Sequence, residues 1–225
     1  MSMTLRPTPV PDEEAFAAIK AGVDALPPGV KLFLNSCGSA LLPPSPALTR
    51  VPSAEFYGQG FTIANLELVA RFFEKYPDYA DRTFLSVKGG TLPGQLVSDG
   101  SRENLRRSVD AVLKALRGTK RLDLFQPARR DSNYEIEQYA ESLNEMVKEG
   151  KFDHIGLSEV NAGTIRRAHK VGPVFFFSFR KPMRRTFVIV NVCRSCRLQQ
   201  SRSKSACKPT SNKPKTVCTD ILLCR

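Results

Sequence analysis

The chain has 225 residues, of which 41% are hydrophobic, so it is long enough for one large domain or two small ones. Its formal net charge of +12 is uneven, because residues 179–225 contain twelve Lys and Arg and one acid, while the remainder is close to neutral. Composition therefore does not indicate a polyanion-binding function for the whole chain. We find no secretion signal and no apolar run of about 18 residues, so we expect a cytoplasmic protein with reduced thiols and no membrane span.

Apolar residues recur at helical spacing in five segments, and these segments predict five helices. The first helix begins with the acidic residues Asp12–Glu14 and ends before Pro27, and Ser101 is placed to cap the third helix. The five helical segments are Phe16 to Leu26, Leu66 to Phe73, Leu105 to Leu116, Ile136 to Val147 and Ala162 to Lys170.

Four short apolar segments alternate with these helices and are predicted to be strands: Val30–Leu34, Thr83–Lys88, Leu122–Gln126 and His154–Ser158. Regular alternation predicts right-handed βαβ connections and a parallel sheet covered by helices, as in a doubly wound sheet or a (β/α)8 barrel. No Gly-x-Gly-x-x-Gly follows a strand, which disfavours a classical dinucleotide-binding sheet. Polar residues at the strand ends favour the barrel, whose active sites form there: Asn35, Lys88, Gln126 and Ser158.

Two of the polar residues near strand ends form a chemically sensible pair. Tyr57 follows the first strand and Lys88 ends the second. A neighbouring ammonium favours phenolate, lowers the tyrosine pKa and makes the phenol a better proton donor to a carbonyl oxygen. On these two residues alone, a pair of solvent-facing side chains is the competing interpretation.

Several short motifs occur in a characteristic order: Asp12-Glu-Glu-Ala-Phe16, Asn35-Ser36 with Glu55-Phe-Tyr-Gly58, Ser86-Val-Lys-Gly-Gly90, Leu122-Asp-Leu-Phe125 and Ile155-Gly-Leu-Ser-Glu159. Together they resemble the aldo/keto reductases, and within that family the fungal pyridoxal reductase-like branch. The resemblance covers residues 1–173, apart from a segment at 37–54. It implies a partial (β/α)8 barrel of about five βα units, without the first strand and the last three units.

The resemblance also implies an activity, namely the NADPH-dependent reduction of a small aldehyde, such as pyridoxal, to an alcohol. It assigns Tyr57 as the general acid and Lys88 as the lysine that lowers the tyrosine pKa. Asn35 takes the place of the aspartate that holds this lysine in many relatives, provided that Ser36 is nearly continuous with Glu55. Ser158 matches a contact to the nicotinamide carboxamide, and Glu159 is a weaker match, because many relatives carry asparagine there. No metal is implied. Because cofactor-binding units are missing, the resemblance implies impaired activity in this truncated chain.

Two segments depart from the family pattern. Cys37–Ala54 contains four prolines and has no helical or strand period, so we predict an unstructured insertion within the barrel domain. Residues 174–225 form a basic, cysteine-rich tail that we predict to be disordered. Both segments are consistent with translated intron or shifted-frame sequence, and the insertion also with a genuine βα loop.

The tail supports a second functional hypothesis, in which the chain is a noncatalytic barrel fragment that acts through its last residues. Four cysteines could supply thiolates for zinc, and the basic charge could bind phosphates: Cys193, Cys196, Cys207 and Cys218. Only the first two form a Cys-x-x-Cys motif, and no aromatic residue follows Phe187. The sequence therefore favours the reductase over a zinc-binding or nucleic-acid-binding module.

Overall fold

Five parallel strands form one sheet in the computed structural model, which describes residues 3–4, 8–36, 62–93, 95 and 97–178. The strands are β1 (Leu32–Ser36), β2 (Thr83–Gly89), β3 (Leu124–Pro127), β4 (His154–Ser158) and β5 (Val174–Ser178). Each strand pairs with the next one along the chain, in the order β1-β2-β3-β4-β5. Consecutive pairing is the barrel arrangement, because a doubly wound sheet reverses its strand order at a switch point.

Five α-helices alternate with these strands, as the sequence predicts: α1 (Asp12–Asp24), α2 (Ala64–Lys75), α3 (Arg102–Leu116), α4 (Ile136–Lys148) and α5 (Ala162–Val171). Helix α1 precedes β1, and the other four connect consecutive strands. The predicted cap of α3 is confirmed, since the Ser101 side chain accepts a hydrogen bond from the Asn104 amide at 3.2 Å. Helix α4 begins with a capping box formed by Glu135 and Gln138.

Two strands begin later than the sequence predicts. The Val30 amide donates to the Pro27 carbonyl at 3.2 Å, so the residues before Leu32 form a turn that closes α1. On β3, the Asp123 carboxylate accepts a hydrogen bond from the Leu85 amide at 2.7 Å and another from Lys120 Nζ at 2.8 Å. A side chain thus takes the place of the ladder bond that an earlier start of β3 would provide.

Side chains alternate between the two faces of the sheet. One face packs against the helices and forms the hydrophobic core, which includes Leu34, Leu85, Val87, Phe125, Ile155, Leu157 and Val174. The opposite face corresponds to the inside of a barrel. Near the amino ends of the strands it carries stacked rings, with Phe33 on Phe84 at 5.5 Å between centroids and Phe84 on His154 at 5.7 Å.

The sheet extends beyond the predicted domain boundary at residue 173. Residues Val174–Ser178 pair with β4 as a parallel strand, with a shift of register between Ile155 and Gly156. The phenylalanine-rich run has strong strand propensity, and it joins the sheet although a basic, cysteine-rich stretch follows it. The segment 37–54 and residues 179–225 lie outside the described residues.

Candidate active site at the carboxyl ends of the strands

At the carboxyl ends of the strands, the inner face of the sheet is polar and buried. Lys88, Gln126 and Ser158 occupy the carboxyl ends of β2, β3 and β4, and they are 7%, 0% and 2% exposed. Lys88 and Gln126 are direct register partners on neighbouring strands. Asn35 pairs with Ser86 on the same face, one layer below Lys88. The sheet therefore brings the predicted polar strand-end residues to one edge.

Lys88 is a buried ammonium at this edge. No carboxylate in the described part of the chain forms an ion pair with it. Burying a charge away from water is costly unless hydrogen-bonding or charged groups compensate it. Lys120, which is equally buried, shows the usual compensation, because it pairs with Asp123 at 2.8 Å near the amino ends of the strands. Lys88 therefore lacks this compensation from the described residues.

Gln126, the register partner of Lys88, and Ser158, at the end of β4, add hydrogen-bonding groups to this edge. Gln126 Nε2 donates to Ser86 Oγ at 3.0 Å in a fully buried bond. Neither Gln126 Oε1 nor Ser158 Oγ has a hydrogen-bond partner among the residues that the structure describes. Buried polar atoms are normally satisfied, so these two atoms fit a ligand that carries both a donor and an acceptor. The nicotinamide carboxamide of NADPH is such a group.

An ion pair beside this edge was missed by the sequence reasoning. Arg129 Nε lies 3.4 Å from Glu159 Oε2, and the side chains are 30% and 21% exposed. Glu159 has a φ of 59°, a left-handed conformation that is uncommon for glutamate and is often found at functional sites. The only sequence signal was the departure of Glu159 from the asparagine of many relatives, since asparagine adopts this conformation more readily.

Tyr139 joins two of the loops that follow the strands. Its hydroxyl accepts a hydrogen bond from the Asp131 amide at 2.7 Å, and the Asp131 carboxylate accepts one from the Gly100 amide at 3.2 Å. Burial raises the pKa of Tyr139 to about 12. Because the loop after β2 and the loop after β3 both border the edge, this connection holds the rim of the candidate site.

We expect Tyr139→Phe to lower the free energy of unfolding by about 1–3 kcal/mol, because it leaves the Asp131 amide without its acceptor. The effect should depend on pH. A raised folded-state pKa gives a contribution that is complete below pH 10.0, the ordinary tyrosine value, and is lost as the pH rises through about 12. Chemical denaturation at pH 7 and pH 11.5 measures both effects, and the difference between parent and variant should shrink at pH 11.5.

Tyr134→Phe is the matched control for this prediction. The Tyr134 ring packs against Tyr139 at 6.5 Å, and its hydroxyl has no hydrogen bond to a described residue. This substitution should change stability by less than about 0.5 kcal/mol. Equal losses in the two variants would show that the Tyr139 hydroxyl does not join the loops.

The five predicted site residues have different outcomes. The structure places Lys88, Asn35 and Ser158 on one face of the sheet and Glu159 directly after β4. Tyr57 lies outside the described residues, so its position relative to Lys88 stays a prediction. Their catalytic and cofactor-binding roles are also predictions. The described ranges contain no cluster of His, Cys, Asp and Glu that could hold a metal ion, and the tail cysteines fall outside those ranges.

Comparison with known proteins supports the barrel. Residues 1–180 match the model of the Aldo/keto reductase family. The fold is similar to that of the glycerol dehydrogenase from Gluconobacter oxydans, with a TM-score of 0.54 at 19% identity, over 77% of this chain and 47% of that chain. The predicted partial (β/α)8 barrel is therefore confirmed.

None of the described helices is both long enough and apolar enough to cross a bilayer.

Curated relatives come from the same family. The chain is 46% identical over 122 residues to a Schizosaccharomyces pombe protein named "Probable pyridoxal reductase 2". The aligned region covers 54% of this chain and 37% of the relative. It is 35% identical over 126 residues to the aldo-keto reductase yakc of the same yeast, whose name specifies NADP(+), over 54% of this chain and 36% of the relative. The chain thus spans well under half of the length of these relatives. It belongs to the aldo/keto reductase family.

Proposed function

We propose that this chain carries the proton-donating part of an NADPH-dependent reductase that converts a small aldehyde, such as pyridoxal, to the alcohol. The observation that carries this proposal is the buried ammonium of Lys88, which has no ion-pair partner among the described residues. The names of the two yeast relatives support the substrate class and the cofactor.

In this proposal each site residue has a distinct role. Tyr57 donates a proton to the carbonyl oxygen, and the charge of Lys88 makes that phenol more acidic. Asn35 lies beside the lysine as a neutral neighbour. Ser158 and Glu159 hold the nicotinamide carboxamide through the hydroxyl and the carboxylate. The cofactor, when bound, supplies the hydride that reduces the carbonyl carbon.

NADPH binding by the full chain tests the proposal most directly. We expect NADPH to shift its fluorescence on addition of the protein and pyridoxal to accelerate its oxidation. A parallel variant that lacks residues 37–54 should show the larger rate, because it shortens the path between Asn35 and Tyr57, and misplacement of catalytic groups by about 1 Å can cost about a hundredfold in rate. Absence of any NADPH binding in both proteins would contradict the proposal.

A second candidate function rests on the tail, where residues 179–225 carry twelve basic residues against one acid. In this alternative the chain binds zinc or nucleic acid and does not reduce aldehydes. Zinc content of the purified chain and its salt-dependent retention on immobilised DNA and RNA test it separately. Zinc in stoichiometric amounts, or steep salt dependence together with no NADPH binding, would favour this alternative.

A further inference from the structure

The Arg129 guanidinium is only loosely held by its ion pair. Its Nε lies 3.4 Å from Glu159 Oε2, and this Nε is a buried donor without a hydrogen-bond partner among the described residues. Arg106 shows the usual arrangement at similar exposure, because it donates to the two oxygens of Glu149 at 2.7 and 2.6 Å. A buried N–H without an acceptor is unfavourable, so Arg129 retains capacity to bind a further acceptor.

The backbone holds Arg129 at the edge of the sheet that carries Lys88. Strands β2 and β3 stay hydrogen-bonded beyond the last residue of β3, because the Ala128 amide donates to the Gly89 carbonyl at 2.8 Å. Arg129 is the residue directly after this bond, and Lys88 directly precedes Gly89. The Arg129 side chain is 30% exposed, so a molecule at this edge can reach it. Arg129 therefore combines a fixed backbone position with an accessible charge.

The neighbouring Arg130 is directed elsewhere. Its Nη2 donates to the Tyr134 carbonyl at 3.3 Å and lies 3.7 Å from Glu135 Oε2, so both partners belong to the segment between β3 and α4. Arg129 instead pairs with Glu159, which follows β4. These two adjacent arginines carry the same charge, but Arg129 is the one that extends toward the loop after the next strand.

We propose that Arg129 is a specificity-determining residue that binds the carboxylate of an acidic aldehyde, so that such aldehydes are preferred to their neutral counterparts. The guanidinium fork matches a planar carboxylate through charge-assisted hydrogen bonds, and it already faces the carboxylate of Glu159. Glu159 therefore competes with the ligand for the same guanidinium. This inference rests on the proposed reduction of a small aldehyde and adds a substrate class to it.

The test compares two aldehydes of similar shape that differ in charge. Para-carboxybenzaldehyde carries a carboxylate, and para-formylbenzamide has a neutral amide in its place. Binding of each to the full chain is measured by ligand-observed NMR without NADPH, so the result does not depend on reductase activity. We expect the parent to bind the carboxylate about tenfold more tightly, because hydrogen bonds between two charged groups are stronger than those to a neutral amide.

Two substitutions should change this preference in opposite directions. Arg129→Gln removes the guanidinium, so the two aldehydes should bind within about twofold of each other. Glu159→Gln removes the competing carboxylate, so the preference for the acid should rise about threefold above that of the parent. Arg130→Gln is the matched control, because it removes an equal charge one residue away, and it should retain the preference of the parent.

Each outcome decides the inference. A preference that survives Arg129→Gln overturns it, since another cation, such as those in residues 179–225, would then bind the acid. A parent that binds the two aldehydes equally, or binds neither, also overturns it. The proposed function fails separately, through absence of NADPH binding in the fluorescence test, so the two failures are distinguishable. If Arg129→Gln does not fold, an unchanged or smaller preference in Glu159→Gln is sufficient to overturn the assignment.

Discussion

Replacing Lys88 with methionine is expected to lower the rate of aldehyde reduction by about a hundredfold to ten-thousandfold, with little change in the KM for the aldehyde. Methionine fills a similar volume in a position that is 7% exposed, but it carries no charge. In the proposed site, loss of the ammonium removes the charge that makes the Tyr57 phenol a better proton donor. The effect should therefore fall on kcat.

The measurement uses a hybrid enzyme that lacks residues 37–54 and continues after residue 178 with the sequence of the Schizosaccharomyces pombe relative. The chain matches only 37% of that relative, and the hybrid supplies the remaining units. Tyr57→Phe should cause a loss of similar size, and the double variant should be hardly worse than either single one, because the two residues act as a unit.

Lys120→Met is the matched control for Lys88→Met. Lys120 is also 7% exposed, but it pairs with Asp123 near the opposite ends of the strands. Its replacement leaves Asp123 without its cation and should lower stability, while the rate per folded molecule stays within about twofold of the parent. Equal rate losses in the two lysine variants would show that Lys88 acts through folding and not through the chemistry.

Gly89→Ala is expected to lower the free energy of unfolding by about 3 kcal/mol, at the upper end of the usual cost of overpacking a core. A Cβ atom there would contact Ser108 Oγ and lie 2.7 Å from two atoms of the Phe125 ring. Both residues are fully buried, so neither can move into solvent. Ser108 Oγ also accepts a hydrogen bond from the Gly90 amide at 2.9 Å, which the displacement would break.

Gly172→Ala provides the comparison, because its added methyl group also meets a neighbour. That neighbour is the end of the half-buried Asn144 side chain, which can rotate away. We expect a loss below about 1 kcal/mol at position 172. Thermal unfolding followed by circular dichroism should show a decrease of about 6–12 °C for Gly89→Ala and about 2 °C for Gly172→Ala. Similar decreases would mean that the core around Phe125 adapts more easily than its burial implies.

Much of the fold could be predicted from local sequence signals. Apolar residues at helical spacing predicted all five α-helices. In α3, for example, Ser101 indicates where the helix begins, and the apolar residues within Leu105–Leu116 indicate which face is buried. Strand starts were harder to predict, because they depend on tertiary and turn hydrogen bonds. The Val30 amide donates within a turn, and the Asp123 carboxylate accepts from the Leu85 amide, where residue preferences alone suggest ladder bonds. Strand β5 was missed, since the unusual composition of the following residues outweighed the strand propensity of Val174–Ser178.

The candidate site was predicted in outline but not in its contacts. Polar residues at strand ends converge in any parallel barrel, so Lys88, Gln126 and Ser158 could be grouped without coordinates. The hydrogen bond from Gln126 to Ser86 joins residues 40 positions apart, and its existence depends on strand register. The left-handed backbone at Glu159 likewise depends on its loop. Local sequence patterns do not encode these tertiary constraints.

The stacked rings of Phe33, Phe84 and His154 have an electrostatic consequence for the layer above them. Aromatic rings pack closely and polarise far less than water, so they form a weakly screening floor below the polar layer of Asn35 and Ser86, which itself lies below Lys88. The field of the ammonium therefore decays slowly in their direction, and little solvent reorganises when charge changes nearby. If the proposed proton transfer takes place at this edge of the sheet, fixed protein charges should govern it, and its energetics should depend only slightly on the salt concentration of the medium.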